Sequence, residues 1–138
     1  MKPLYTASVT AHGGREGHIK SEDGILDFPV SQPKELGGKG DSNPNPELLF
    51  GAAYAACYQS ALNKVLLTDR KKADNTVTAN VTIGEDTENG GFMLAVRLDV
   101  SIEGMGKEET QQYAEKANVV CPYSKLMRGQ STVTVIAV

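Results

Sequence analysis

Two cysteines are the residues of this sequence whose side chains are most able to do chemistry. Cys57 lies within the almost uncharged stretch NPELLFGAAYAACYQSALNKVLL, residues 45–67, and Cys121 is followed directly by Pro122. A free cysteine in apolar surroundings is usually a small hydrophobic residue, and burial raises its pKa. With an ordinary pKa of about 8.5, only a few per cent of such a thiol is ionised at neutral pH. Cys57 is therefore either core filling or a nucleophile whose activating charge lies elsewhere in the chain.

Arg15 is the cation that the sequence offers for this purpose, because it lies in the glycine-framed turn GGREG. Glycines allow backbone angles that other residues avoid, and they let a neighbouring side chain be aimed. An arginine close to a thiol favours the thiolate and would lower the pKa of that thiol by about one unit or more. The alternative interpretation is an ordinary arginine in a solvent-exposed turn.

Glu47 also has two interpretations. In the first turn of a helix it compensates the helix dipole, which contributes about 0.3–1 kcal/mol, and as a carboxylate it can hold an arginine by two parallel hydrogen bonds. It cannot do so beside Cys57 of its own helix, since roughly 15 Å separates the two along the axis. Either a long arginine bridges this gap, or a second copy of the helix supplies the carboxylate. The alanine-rich face of the helix favours the second possibility, a dimer with shared sites.

The helices that position these residues carry clear start and stop signals. Asn45, Pro46 and Glu47 are typical of a helix start, so a buried helix is predicted from there to about Thr68. A polar helix is predicted to begin near Lys107 and to end at Cys121-Pro122, and a further helical turn is predicted to end at Gly129. The inward-facing residues of the helix that begins near Lys107 are expected to be Tyr113, Ala114, Ala117 and Val120. Cys121 is thereby expected at a helix start, where the dipole lowers a thiol pKa.

Strict alternation of apolar and polar residues predicts two long antiparallel strands in TVTANVTIGE and GFMLAVRLDVSIEG. Shorter strands are predicted in residues 3–11, in residues 16–30 as a hairpin with Asp23-Gly24 at its tip, and in TVTVIAV at the end of the chain. Residues 31–44 form the one long loop, and long loops in compact domains are often functional. The predicted fold class is α+β, an antiparallel sheet with one very buried helix.

The bulk composition suits a single domain, residues 1–138, and excludes several classes of function. A net charge of −3 leaves no basic footprint for nucleic acid or for a membrane surface. The sequence has no apolar run long enough to span a membrane and no signal peptide, which predicts a cytoplasmic protein with reduced thiols. GGKGDS at residues 37–42 lacks the spacing of a phosphate-binding loop.

A metal site is the least supported of the alternatives. Cys57, Cys121, His12 and His18 could be counted as four ligands, but their spacing fits no compact zinc signature. The two histidines fall in a predicted strand and turn, where ordinary surface roles are expected.

Five segments, taken together, resemble the organic hydroperoxide resistance proteins of the Ohr/OsmC family. They are GGREG with Arg15, DGILDF, PKELGG at residues 33–38, NPELLFGAAYAAC ending at Cys57, and VCPYSK with Cys121. They span nearly the whole chain in the order found in the family. The early GGR arginine is typical of the hydroperoxide branch rather than of the osmotically inducible branch.

The resemblance implies an OsmC-like α+β fold, with antiparallel sheets and a long buried central helix, in an intertwined homodimer with two active sites at the subunit interface. It implies a thiol peroxidase that reduces organic, lipid-like hydroperoxides to alcohols. Cys57 would be the peroxidatic thiolate, Arg15 and Glu47 its activating pair, and Cys121 the resolving thiol of a Cys57–Cys121 disulfide. No bound cofactor is implied; the external reductant would be a dithiol, the lipoyl group of a lipoylated protein or dihydrolipoamide, rather than thioredoxin.

A non-catalytic binding module for apolar or lipoyl-like ligands is the main alternative function. Such a module would retain its ligand after loss of Cys57, whereas a peroxidase would lose turnover. The apolar surroundings of Cys57 suit both, because an apolar pocket also favours an alkyl hydroperoxide over hydrogen peroxide.

Overall fold

The computed structural model describes residues 1–131 and 133–137, and the chain divides into two compact units between Leu49 and Phe50. The first unit contains a three-stranded antiparallel sheet of β1 (Val9–His12), β2 (His18–Ser21) and β3 (Asp27–Pro29). It also contains short 3-10 helices at Gly14–Glu16 and Lys34–Leu36.

The predicted hairpin is confirmed, but the predicted first strand is too long. β2 and β3 pair antiparallel across a turn in which Gly24 has a φ of +73°, a left-handed conformation that favours glycine. β1 begins only at Val9, which pairs with Ser21, the last residue of β2. Residues 3–8 extend beyond the end of β2 and form no strand, because a strand needs a partner for its backbone groups.

The long helix α1 spans Pro46–Thr68, as its start and stop signals predict. The Asn45 side chain accepts a hydrogen bond of 2.8 Å from the Leu48 backbone N–H, which is the expected helix cap. One face of α1 is buried, through Gly51, Tyr54, Tyr58, Ala61, Leu62 and Leu66. Leu48, Ala52 and Ala56, at intervals of four, form an exposed apolar stripe on the same helix.

The second unit contains a long hairpin and two further helices. β4 (Asn75–Glu85) pairs antiparallel with β5 (Phe92–Ile102) over the full length of both strands, as the alternation predicts. α2 (Lys107–Val120) and α3 (Pro122–Met127) follow, separated by Cys121. These elements enclose an apolar core of Tyr54, Tyr58, Ala61, Leu62, Leu66, Ile102, Tyr113, Ala117 and Cys121. The prediction of antiparallel sheet with helices is confirmed.

The inward face of α2 differs from the prediction at its end. Tyr113 and Ala117 are buried as expected, but Val120 is 42% exposed. The next position at an interval of four is Cys121, which is fully buried. The predicted inward position of Val120 is therefore wrong, because Cys121 occupies the position in the core that continues this face.

The last predicted strand, residues 132–138, falls partly outside the described residues, since 132 and 138 are not described. Residues 133–137 form no strand, and Val133, Val135 and Ile136 are exposed. None of the helices in the described part of the chain is long and apolar enough to cross a membrane.

The end of α1 is a backbone position under strain. The Lys71 N–H donates to Leu66 O at 2.9 Å and the Arg70 N–H donates to Leu67 O at 3.0 Å, the two bonds of a Schellman cap. The residue at the left-handed position of such a cap is usually glycine, but here it is Arg70, with a φ of +55°.

Replacing Arg70 by glycine is expected to raise the free energy of unfolding by about 0.5–1 kcal/mol, because glycine adopts the left-handed conformation without the steric cost. Urea denaturation of Arg70→Gly and of wild type measures the difference. Lys72→Gly is the control, since Lys72 is an exposed residue nearby with an ordinary backbone angle, and it should give no gain. A less stable Arg70→Gly variant would show that the arginine side chain stabilises the cap by more than its backbone strain costs.

Candidate active site

The turn that carries Arg15 is built by glycines. Arg15 lies in the 3-10 helix between β1 and β2, and it follows Gly13 and Gly14, whose φ angles are +82° and +61°. At Gly17, a Cβ atom would lie only 1.9 Å from the backbone oxygen of His12. No other residue fits at Gly17 unless the backbone moves. The shape of the turn, and with it the backbone position of Arg15, therefore depends on this glycine.

Hydrogen bonds fasten this turn to the loop that follows β3. The Val30 N–H donates to Gly17 O at 2.9 Å, and the Gln32 N–H donates to a carboxylate oxygen of Glu16 at 3.0 Å. The two residues that follow Arg15 are thereby held by backbone groups of the segment that leads toward α1. The long loop of residues 31–44 starts at this point of attachment.

Arg15 and Glu47 form a bidentate ion pair. Nη1 of Arg15 donates to Oε2 of Glu47 at 2.9 Å, and Nη2 donates to Oε1 at 2.6 Å. Two parallel charge-assisted bonds fix the plane of the guanidinium as well as its position. Glu47 is thus the partner of an arginine in addition to being an acidic residue in the first turn of α1.

The ion pair holds both groups in their charged forms. The hydrogen bond from Arg15 lowers the pKa of Glu47 below its usual value, against an opposing effect of burial, and the same bond raises the pKa of Arg15. A carboxylate with a lowered pKa stays ionised at neutral pH and loses its charge only in acid, below the pKa of an ordinary glutamate. The pair therefore does not titrate in the range where a thiol would.

The two cysteines are neighbours in the second unit, and neither is in a disulfide. Cys57 is half-buried on α1, whereas Cys121 is fully buried at the junction of α2 and α3. The Cys121 N–H donates to Ala117 O at 2.9 Å, and Cys121 O accepts from the Lys125 N–H at 3.0 Å. Its backbone is thus held by both helices.

Burial raises the pKa of the Cys57 thiol, and this is the largest of the effects acting on it. The backbone N–H of Tyr123, in the first turn of α3, lowers that pKa, while charge repulsion and a hydrogen bond to Cys121 raise it. The helix start predicted at Cys121 therefore supplies a backbone donor to Cys57. The net direction is upward, so Cys57 needs a further positive charge to ionise readily, and its activation by Arg15 and Glu47 stays a prediction.

An aromatic cluster lies beside the cysteines. Tyr54 stacks on Tyr123 with ring centroids 5.7 Å apart, and Phe50 approaches Tyr54 edge-on at 5.8 Å. The hydroxyl oxygens of Tyr54 and Ser124 are 2.9 Å apart and share a buried hydrogen bond. Neither Tyr54 nor Ser124 stands out in the sequence, although each lies three positions from a cysteine, a spacing that places residues on the same face of a helix.

Tyr58, next to Cys57 in the sequence, has its hydroxyl occupied. It donates to Ala114 O on α2 at 2.5 Å. Burial, with smaller contributions from neighbouring groups, raises the pKa of Tyr58 to about 12. Its hydroxyl stays protonated at any physiological pH, so Tyr58 is a packing residue rather than a source of charge.

Within the part of the chain that the structure describes, no group of three or more His, Cys, Asp or Glu side chains could hold a metal ion. His18 instead pairs with the exposed Asp27 through Nε2 and Oδ1 at 2.7 Å. The predicted site residues form two pairs, Arg15 with Glu47 in the first unit and Cys57 with Cys121 in the second.

Comparison with known proteins matches this chain to the family model described as OsmC-like protein, over residues 38–136. An organic hydroperoxide resistance protein of Xanthomonas axonopodis pv. citri (strain 306) is 45% identical over 133 residues, covering 96% of this chain and 94% of the relative. The protein OhrA of Bacillus subtilis (strain 168) is 44% identical over 134 residues, covering 96% of this chain and 95% of the relative.

Solved structures agree with these matches. The crystal structure of an organic hydroperoxide resistance protein from Elizabethkingia anophelis superposes with a TM-score of 0.86 at 53% identity, covering 94% of this chain and 92% of that one. OhrB of Bacillus subtilis gives a TM-score of 0.83 at 40% identity, covering 92% and 93%. The OsmC-like fold expected from the sequence is thereby confirmed. The chain belongs to the OsmC-like family and, within it, to the organic hydroperoxide resistance proteins.

Proposed function

We propose that this protein is a cysteine-based peroxidase that reduces organic hydroperoxides to alcohols. The observation that carries the proposal is the pair of reduced thiols, half-buried Cys57 beside fully buried Cys121, in a member of a family named for organic hydroperoxide resistance. A half-buried thiol that hydroperoxide can reach, beside a fully buried one, suits a nucleophile and the group that resolves it.

In the first step, the Cys57 thiolate attacks one oxygen of the hydroperoxide and the O–O bond breaks. The sulfur loses two electrons and becomes a sulfenic acid, and the leaving alkoxide takes up a proton to give the alcohol. Tyr54 and Tyr123 give the site an apolar wall, which favours an alkyl group over the small, polar hydrogen peroxide.

In the second step, the Cys121 sulfur attacks the sulfenic sulfur, a disulfide forms, and the hydroxyl leaves as water. An external dithiol then restores both cysteines by two exchange reactions and becomes a disulfide itself. The proposed reductant is the lipoyl group of a lipoylated protein, or dihydrolipoamide, whose two thiols supply both electrons. No resident cofactor is needed for this cycle.

Arg15 is proposed as the charge that activates Cys57. Burial raises the pKa of this thiol, so a nearby cation is needed to stabilise the thiolate at neutral pH. The double hydrogen bond to Glu47 limits the positions that the guanidinium can take. Both the guanidinium and the carboxylate stay ionised throughout the neutral range.

A homodimer with shared sites is the proposed assembly. Leu48, which is 61% exposed, begins the apolar stripe of α1 that continues through Ala52 and Ala56, and small residues let two helices approach closely. In such a dimer, Arg15 and Glu47 of one subunit act on Cys57 of the other, which removes the difficulty that Glu47 and Cys57 lie far apart along one helix.

The decisive test is consumption of cumene hydroperoxide and of hydrogen peroxide, with dihydrolipoamide as reductant, by wild type and Cys57→Ser. We expect faster turnover of the organic substrate by wild type and loss of turnover in the variant, because serine supplies no comparable nucleophile. Cys121→Ser is expected to react once and then to accumulate sulfinic acid on Cys57, which mass spectrometry detects. Wild-type turnover no higher than that of Cys57→Ser, with an apolar ligand retained by both, would favour the binding module instead.

The role of Arg15 predicts a change in pH dependence. In Arg15→Met the midpoint of kcat/KM against pH is expected to move upward by about one unit or more, because the thiolate loses its cation. The two profiles should approach each other at alkaline pH, where Cys57 is ionised in both proteins. Arg97→Met is the control, since Arg97 pairs with the exposed Asp99 on β5. A lower kcat/KM with an unmoved midpoint would assign Arg15 to substrate binding instead.

Shared sites predict complementation at neutral pH between the inactive Cys57→Ser variant and the weakened Arg15→Met variant. A mixed dimer of Arg15→Met and Cys57→Ser contains one site with intact Arg15 and intact Cys57 if these residues come from different subunits. We therefore expect activity to return when the two variants are co-expressed with different tags and the mixed dimer is purified. If each Arg15 serves the Cys57 of its own chain, the mixed dimer has no complete site and is no more active at neutral pH than the Arg15→Met parent.

A further inference from the structure

The hydrogen bond between Tyr54 and Ser124 joins the two helices next to the cysteines. The hydroxyl oxygens are 2.9 Å apart, and the two residues are 6% and 1% exposed. Among the described residues, it is the only hydrogen bond between side chains of α1 and α3. A buried hydroxyl that loses its partner has no water molecule to hydrogen-bond instead. This bond therefore strongly favours one arrangement of the two helices.

The position of this bond along both helices is what relates it to the thiols. Tyr54 lies three residues before Cys57, and Ser124 lies three residues after Cys121, so each is about one helical turn from a cysteine. The Tyr54 ring also stacks on Tyr123, whose backbone N–H lowers the pKa of Cys57. The same contact thus bears on both cysteines.

We infer that Tyr54 and Ser124 are positioning residues that hold Cys121 in place to resolve the oxidised Cys57. The inference rests on the proposed function and deepens it at the second step. Disulfide formation requires a short distance and a narrow range of dihedral angles between the two sulfur atoms. Cys121 lies at a break between helices and is followed by an α3 of only six residues, so a contact from α1 limits how far this short helix can shift.

The consequence is a kinetic one. Once Cys57 is a sulfenic acid, it either condenses with Cys121 or meets a second hydroperoxide and becomes a sulfinic acid. A loosened α3 slows the condensation directly, whereas it acts on the first oxidation only through the Tyr123 N–H, one of several effects on the Cys57 pKa. The first oxidation of Cys57 does not use the Cys121 sulfur, so its rate depends much less on the position of Cys121.

Single-turnover kinetics of Tyr54→Phe and Ser124→Ala with cumene hydroperoxide test this split. Disulfide formation is expected to slow by about tenfold, the factor equivalent to the net contribution of one hydrogen bond, and by a larger factor than the loss of reduced Cys57. Mass spectrometry should find sulfinic acid on Cys57 at lower hydroperoxide concentrations than in wild type.

Tyr113→Phe is the matched control. Tyr113 is also 6% exposed, and its hydroxyl donates to Asp69 at 2.9 Å, so the variant loses a comparable hydrogen bond elsewhere in the same unit. It should form the disulfide at the wild-type rate. Disulfide formation at the wild-type rate in Tyr54→Phe, or equal slowing in Tyr54→Phe and Tyr113→Phe, overturns the inference.

Diamide separates this inference from the proposed function. It oxidises two thiols to a disulfide and is itself reduced to a hydrazine, so it closes the Cys57–Cys121 pair without a hydroperoxide. If wild type fails to reduce hydroperoxides, the proposed peroxidase is wrong, and the diamide reaction still measures the positioning. Slower closure in Tyr54→Phe than in Tyr113→Phe supports the positioning role, and equal closure contradicts it.

Discussion

Ionising a thiol away from water is the constraint on which the chemistry proposed for this protein depends. The same burial that gives Cys57 apolar neighbours raises its pKa. Surroundings that favour an organic substrate therefore disfavour the reactive thiolate. The chain contains two features suited to this conflict: the backbone N–H of Tyr123 beside the sulfur, and an arginine held by two hydrogen bonds to Glu47. The proposed mechanism brings them together, with the apolar wall selecting the substrate and the fixed charge restoring the nucleophile.

Helix α1 combines several roles that are usually distributed over different elements. Its first turn carries Glu47, its buried face carries Tyr54 and Tyr58, and Cys57 lies between them. A shift of this helix would move Glu47, Tyr54 and Cys57, since it carries all three. The side-chain cap from Asn45 and the packing of the buried face therefore contribute to the site as well as to stability.

Local signals predicted much of this structure. The boundaries of α1 followed from Asn45 and Pro46, and β4 and β5 followed from alternation, because capping and strand periodicity are properties of neighbouring residues. The errors came from features that depend on distant partners. Residues 3–8 have strand character but no strand beside them, and the core accepts Cys121 where periodicity placed Val120.

The candidate site divides in the same way. Arg15, Glu47, Cys57 and Cys121 could be selected from residue type and from the family resemblance. The bond between Tyr54 and Ser124 joins residues seventy positions apart, and no pattern within either helix reveals it. The balance of effects on the Cys57 pKa is equally hidden, since it depends on how α3 folds back onto α1.

Gly17 shows how the geometry of the arginine turn restricts which residue the sequence can carry at one position. With only 1.9 Å between a would-be Cβ atom and His12 O, even alanine would force the backbone of the arginine turn to move. Such a change would act on the turn that carries Arg15, and so on the geometry of its ion pair with Glu47. The steric constraint at Gly17 therefore acts through the backbone on the orientation of the Arg15 side chain, although Gly17 has no side chain of its own.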